Sequence, residues 1–218
     1  EKIILKNVNG QRYVSTGLQS NVKIEINGVP GNDLGAFMDG PQIKVFGNAQ
    51  EAVGNTMNNG RISIYGSAGD ILGYAMRGGE IFVRENVGYR VGIHMKAYQN
   101  LLPVIVIGGT TQDYLGEYMA GGILIVLAVS NQPVRSNFIG TGMHGGTIYI
   151  RGELERHQLG REVGIVEMTS EDRNILNKYT GYYCKEFKID NSKGKLLKGK
   201  FLKIVPVSHR PYGNLYAY

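Results

Sequence analysis

The chain has 218 residues, a formal net charge of +6, 32 glycines, no tryptophan and one cysteine. Because Cys184 has no second cysteine to bond with, an intrachain disulfide is excluded, and a reducing, cytoplasmic compartment is expected. The longest apolar runs, near residues 101–107 and 123–129, are far shorter than the roughly 20 residues of a membrane-spanning helix, so no membrane association is expected.

The first 14 residues lack the apolar core of a secretory signal, and we expect them to close one end of the fold. From about residue 15 to residue 152 the chain repeats the pattern apolar-Gly-x-x-Met-x-x-Gly-x-Ile-x-Val-x-Gly. A degenerate first copy contains Ile24 and Ile26, which brings the number of copies to seven. Such periodicity is typical of stacked, elongated folds. Six glycine–methionine pairs carry the repeat: Gly35 and Met38, Gly54 and Met57, Gly73 and Met76, Gly92 and Met95, Gly116 and Met119, and Gly140 and Met143.

Each copy predicts one short strand. Apolar residues five and seven positions after the methionine, such as Ile62 and Ile64 after Met57, fall on one face of that strand. A unit of about 19 residues buries a core only by stacking on its own copies. The repeat therefore predicts an all-β fold, a right-handed single-stranded parallel β-helix of about seven rungs. A β-sandwich of short strands would explain the alternation and the glycines, but not the identical columns.

The methionine column has two possible interpretations. A row of thioethers could bind a soft metal, and an unbranched, polarizable side chain could equally fill a narrow core. The columns beside the methionines are apolar, and neither cysteine nor histidine clusters next to them. The sequence therefore predicts a core column and no metal site.

Two copies are apolar at almost every strand position. In residues 123–129 the outward positions hold Ile123, Ile125 and Leu127, where other copies carry charged or polar residues. These three side chains should point away from the coil and still be buried, which predicts an apolar outer patch. We expect the C-terminal extension and a protein partner to share its coverage, so the patch is a candidate partner-facing surface.

The remaining outward columns show no reactive cluster. They collect no carboxylates for acid–base catalysis or for Ca²⁺, and the glycine-rich stretches lack the lysine and hydroxyl residue of a phosphate loop. The histidines are far apart in the sequence. We therefore predict no catalytic, cofactor-binding or metal-binding residue. The four histidines are His94, His144, His157 and His209.

The C-terminal part differs from the repeat, and we divide the chain into a β-helix with its N-terminal cap (1–162) and a helix with a basic extension (163–218). The helix should begin near Thr169 and end at Gly181. It would cover the open end of the β-helix, where unpaired strand edges promote polymerisation. Residues 171–218 carry the whole net charge, but their lysines alternate with apolar residues, which favours ordered strands over a nucleic-acid-binding arm.

The copies at 54–66, 73–84, 116–127 and 140–152 resemble the Gly-x-Gly-x-Gly (GXGXG) repeat domain of the glutamate synthase large subunit. The stretch that contains Tyr179-Thr180-Gly181 and 201–206 is similar to the end of that domain. A related repeat occurs in one of the subunits of formylmethanofuran dehydrogenase. The resemblance implies a right-handed β-helix that contains no catalytic residue and packs between an amidotransferase domain and a flavin and iron–sulfur barrel domain.

The chain has no N-terminal cysteine nucleophile, no barrel and no cysteine cluster. It therefore resembles a stand-alone homologue, and it is not expected to be an enzyme alone. The implied partners are the amidotransferase and FMN-barrel subunits of a split glutamate synthase, with FMN and the iron–sulfur cluster on those partners only. The alternatives are the repeat-containing component of a formylmethanofuran dehydrogenase and a carbohydrate-active β-helix, and the missing outward acid stack argues against the latter.

Overall fold

The computed structural model describes residues 1–190, 194 and 196–207. It contains one α-helix and a single ten-stranded sheet among these residues. The elements are β1 (Lys2–Asn9), β2 (Lys23–Val29), β3 (Asp39–Phe46), β4 (Asn59–Ile64), β5 (Glu80–Val83), β6 (Val104–Ile107), β7 (Ala120–Val126), β8 (Gly145–Arg151), a 3₁₀ turn (Arg156–Gln158), β9 (Val163–Val166), α1 (Ser170–Phe187) and β10 (Phe201–Pro206).

Strands β1 to β8 form a parallel β-solenoid of about seven turns with about 19 residues per turn, which confirms the predicted architecture. Each strand pairs in parallel with the next, and the predicted columns are in register. Ile43 lies opposite Ile62, and Ile62 lies opposite Ile81. The N-terminal segment joins the same ladder, because Ile3 of β1 pairs with Ile24 of β2. The expected cap is therefore a first strand of the solenoid.

The methionines form a continuous buried column inside the coil. Met38, Met57, Met76, Met95 and Met119 are fully buried, and Met143 is 1% exposed. They pack against the inward apolar residues of every strand in one core that runs along the solenoid. This placement agrees with the core interpretation of the column.

The glycine three residues before each methionine has a left-handed backbone. Gly54, for example, has φ +68°, and a Cβ atom on it would lie 2.5 Å from Cδ1 of Ile81 in β5, the strand of the next rung. Glycine is required there both by the backbone conformation and by the space. The same backbone recurs at the other five positions, with φ from 67° to 70°: Gly35, Gly73, Gly92, Gly116 and Gly140.

The C-terminal end of the solenoid is closed by strands. β10 pairs antiparallel with β8 and with β9, so the last parallel strand has a hydrogen-bonded neighbour. The prediction that the helix covers this end was wrong, since α1 packs on the outer face of the sheet. Because β9 and β10 extend the same sheet, the boundary expected between residues 162 and 163 falls within one continuous sheet.

Helix α1 is longer than the sequence predicted. It continues through Gly181 to Phe187, and its C-cap is Lys188 with a left-handed backbone. The stop at Thr180-Gly181 was wrong because Tyr183, Cys184 and Phe187 bury their side chains against the sheet, and this packing outweighs the weak helix propensity of one glycine. Residues 191–193, 195 and 208–218 of the basic extension, with His209 among them, lie outside the described residues.

Candidate interaction surfaces

The outer apolar patch is covered by the chain's own helix. Ile125 and Leu127 are fully buried and Ile123 is 7% exposed. Their burial follows from the packing of α1 along the outer sheet face, so a partner could reach the three candidate partner-facing residues only if α1 moved away. The cluster contains Phe82, Val104, Val106, Ile123, Ile125, Leu127 and Tyr149 of the solenoid, Leu176, Tyr179, Tyr183, Cys184 and Phe187 of α1, and Leu196.

A buried carboxylate fixes the start of the helix. The Tyr149 hydroxyl donates to Asp172 Oδ1 over 2.5 Å, and Lys203 Nζ lies 2.8 Å from Oδ2. Thr169 and Asp172 also form a reciprocal capping box at the first turn. Burial raises the pKa of Asp172, but the hydrogen bonds from Lys203, Tyr149 and Thr169 outweigh burial and hold the pKa well below its usual value. Burial and the bond to Asp172 together raise the pKa of Tyr149.

A second polar contact holds the end of the helix. Glu186 Oε1 accepts a hydrogen bond from the Tyr65 hydroxyl at 2.9 Å and lies 2.6 Å from Lys44 Nζ. The Tyr65 ring packs between Phe46 and Phe187, with ring centroids 4.9 and 5.0 Å away. Burial raises the pKa of Tyr65, and the bond to Glu186 adds to the increase. The helix is thus attached at both ends by charged side chains and between them by apolar packing.

A groove with polar walls lies where strands β3, β4 and β5 begin. It has a volume of about 490 Å³ and is bordered by the loop around Leu101, which precedes β6. The Arg61 guanidinium in its wall pairs with Glu80 and lies over the rings of Phe82 and Tyr182. Arg61 is therefore engaged on several sides and contributes to the wall. The groove is lined by Asn21, Gly40, Gln42, Asn59, Gly60, Arg61, Gly79, Glu80, Asn100, Leu101 and Leu102.

A set of partly exposed rings occupies the turns of the solenoid that precede the strands. The His94 and Tyr118 rings stack at 5.3 Å with an angle of 10°, and Tyr114 and Phe138 stack at 4.9 Å with an angle of 15°. Tyr74 contacts the His94 ring edge to face at 6.0 Å. We call these five residues, Tyr74, His94, Tyr114, Tyr118 and Phe138, the aromatic face.

Charged residues border the aromatic face. The Arg90 guanidinium lies 4.5 Å from the centre of the Tyr114 ring and pairs with Glu117, whose side chain is buried. Arg77 and Lys96, each one residue after a methionine, are exposed. This surface was not predicted from the sequence, because only the outward columns after each methionine were compared for functional residues. The signal was present in the sequence, because His94 and Tyr118 stand one residue before a repeat methionine and Tyr114 and Phe138 stand five residues before one.

The described residues bring together no three His, Cys, Asp or Glu side chains that could hold a metal ion. His94 belongs to the aromatic face, and the His144 and His157 rings have polar contacts with neighbours in sequence, Gly142 and Glu155. Cys184 of α1 is buried between the helix and the sheet, and burial raises the pKa of its thiol. The one helix in the described part of the chain is not long and apolar enough to cross a membrane.

Comparison with known proteins identifies the repeat. A family model described as "GXGXG motif" matches residues 3–207. An uncharacterized protein of Methanocaldococcus jannaschii is 56% identical over 223 residues, which cover 99% of this chain and 85% of that protein. The name of this relative gives no link to formylmethanofuran dehydrogenase.

Proposed function

This chain belongs to the GXGXG motif family, which is found in glutamate synthase, and on that premise we propose that it is a non-catalytic scaffold subunit of a glutamate synthase-like enzyme. The observation that carries the proposal is the family match, which extends from the first strand of the solenoid through β10. In the proposed complex, an amidotransferase subunit releases ammonia from glutamine. An FMN-barrel subunit then uses that ammonia in the reductive amination of 2-oxoglutarate.

The architecture supports a scaffold role. Most of the chain forms stacked rungs whose inward side chains are apolar, and the paired strands make a continuous ladder. Such a ladder is a stiff element that holds the surfaces along its length at fixed positions. In our proposal this chain packs between the amidotransferase and flavin subunits and fixes their separation.

The proposed division of labour places the chemistry on the partners. An iron–sulfur cluster needs several cysteine thiolates, whereas this chain has a single cysteine, which is buried between α1 and the sheet. We propose that FMN and the cluster are bound by the barrel subunit and that this chain binds neither. We also propose that the chain functions in the cytoplasm, where a lone thiol stays reduced.

Co-expression of this chain with the amidotransferase and FMN-barrel polypeptides of the same organism tests the proposal. We expect affinity-tagged chain to co-elute with a flavin-containing polypeptide, recognised by its absorbance near 450 nm, and glutamine-dependent glutamate formation to require all three polypeptides. Recovery with a molybdenum or tungsten subunit and no flavoprotein would contradict the proposal. Turnover of glutamine or of glycans by the isolated chain would contradict the scaffold role itself.

A further inference from the structure

We infer that the aromatic face is a docking surface for a folded partner subunit that presents carboxylates beside apolar side chains. The inference rests on the proposed function and deepens it, because it assigns the surface through which the scaffold binds a subunit of the complex. Two features of the described residues support it, the geometry of the rings and the charges in the same solenoid turns, and the backbone beneath the rings provides a way to test it.

The backbone beneath the rings is strained. His94, Tyr114, Tyr118 and Phe138 all have positive φ, between 51° and 66°. This left-handed conformation is unfavourable for residues with a side chain and favourable for glycine. The last rung has glycine, Gly142, in the same column as His94 and Tyr118. The same left-handed backbone recurs in other rungs at residues without a ring, such as Ala52, Thr56 and Ala75, so it belongs to the solenoid turn and does not depend on the rings.

The rings are also partly exposed and held in place by one another. Phe138 is 48% exposed, Tyr74 38% and Tyr118 37%. Rings that are already stacked lose little conformational freedom when a partner binds, which favours affinity. Because His94 stacks on Tyr118 and Tyr114 stacks on Phe138, each of these rings uses one face within the chain. The exposed part of these rings is apolar surface of the kind that aromatic residues contribute to protein interfaces.

Charge specifies the chemistry of the partner. Arg77 and Lys96 are exposed and follow Tyr74 and His94 by three and two residues in the chain, and the part of the chain that the structure describes gives neither of them an ion pair. Arg90, in contrast, is already paired with Glu117 and supports the Tyr114 ring. Tryptophan, tyrosine and arginine dominate the binding energy of protein interfaces, and oppositely charged rims steer the approach of partners. Carboxylates on the partner would therefore face Arg77 and Lys96.

Glycine substitution separates binding from stability. In the double variant Tyr118→Gly, Phe138→Gly both rings are lost, but the left-handed backbone becomes unstrained, so the fold is retained. The matched control is Phe37→Gly, which removes an exposed ring from a left-handed residue in the same column as Tyr118, at the far end of the solenoid. Lys96→Glu reverses an exposed charge that makes no ion pair among the described residues, and it serves as a second variant that cannot act through ring packing.

Binding of each variant to the separately purified amidotransferase and FMN-barrel subunits is measured by biolayer interferometry, with thermal melting as the stability control. We expect the double variant and Lys96→Glu each to weaken binding of one subunit at least tenfold, with Phe37→Gly unchanged. Wild-type affinity in both variants would overturn the docking surface and leave the proposed function intact. Failure of the wild-type chain to bind either subunit would overturn both. A change only in the chain's self-association would also overturn the inference, since the occupant would then be a second copy.

Discussion

Tyr149 of β8 and Asp172 of α1 share a buried hydrogen bond, although they belong to parts of the chain that the sequence divides into a repeat and an extension. Lys203 of β10 completes the contact from a third element. This one carboxylate therefore joins the last parallel strand, the helix and the closing strand. The helix is held in one position along the sheet because a buried anion is stable only where its donors are.

Replacement of Asp172 by asparagine is expected to lower the free energy of unfolding by about 2 kcal/mol, because hydrogen bonds to a charged group are lost and Lys203 keeps a half-buried ammonium without its anion. Urea unfolding followed by circular dichroism measures the change. The control is Glu171→Gln, which changes an exposed carboxylate one residue earlier in the same helix turn. Equal effects of the two substitutions would contradict the anchoring role.

Stability should also decline in acid through Asp172. The pKa of this carboxyl is lower in the folded chain than in the unfolded chain, so the unfolded state takes up the proton first as the pH falls. The contribution is full above about pH 5 and decreases as the pH falls through the unfolded value near 3.9 and towards the folded value. Urea midpoints measured from pH 7 to pH 3 should decrease less steeply in Asp172→Asn than in the wild type. An identical pH dependence of the urea midpoint in the two proteins would show that other groups govern the loss of stability in acid.

Two glycine-to-alanine substitutions should change the free energy of unfolding in opposite directions. Gly54→Ala places a methyl group 2.5 Å from Ile81 Cδ1 on a left-handed backbone, and we expect a loss of about 3 kcal/mol. Gly181→Ala lies inside α1 with nothing within 4 Å of the added Cβ, and we expect a gain of up to about 1 kcal/mol. Thermal melting of both variants measures the difference. A stable Gly54→Ala variant would argue against the tight contact between neighbouring rungs.

The core interpretation of the methionine column is tested by changing Met76, which is fully buried near the middle of the solenoid. Met76→Leu keeps the volume and should cost less than about 1.5 kcal/mol. Met76→Ala leaves a cavity and should cost about 3 kcal/mol. Chemical unfolding distinguishes the two. If leucine were as harmful as alanine, the thioether itself would have a role that packing does not explain.

Cys184 offers a native probe of helix docking. Cys184 lies on the face of α1 that packs on the sheet and is 8% exposed, and burial raises the pKa of its thiol, so both access and thiolate fraction are low. We expect an aromatic disulfide reagent to modify Cys184 far more slowly in the folded chain than in urea, and several-fold faster in Asp172→Asn than in the wild type. Equal rates for folded and unfolded chain would mean that α1 leaves the sheet readily. Modification under native conditions, monitored by absorbance, gives the rates.

The sequence by itself determined the solenoid. Inward columns such as Ile43, Ile62 and Ile81 repeat at a constant spacing, and a strand shifted by one residue would turn its apolar face outward. Register and core were therefore readable from spacing alone. The outer apolar patch was readable too, because Ile123 and Ile125 stand at positions that other rungs leave polar.

Only the tertiary structure decided what covers that patch, where α1 ends and how the solenoid is closed. Gly181 alone predicts the end of the helix. Burial of Tyr183 and Phe187 against the sheet stabilises further helical turns, so α1 continues past Gly181. The pairing of β10 with β8 and the ring stacks of the aromatic face join residues that are distant in the chain. Local sequence carries no signal for such contacts, because their free energy exists only once the rungs have stacked and placed both partners on the same side of the rod.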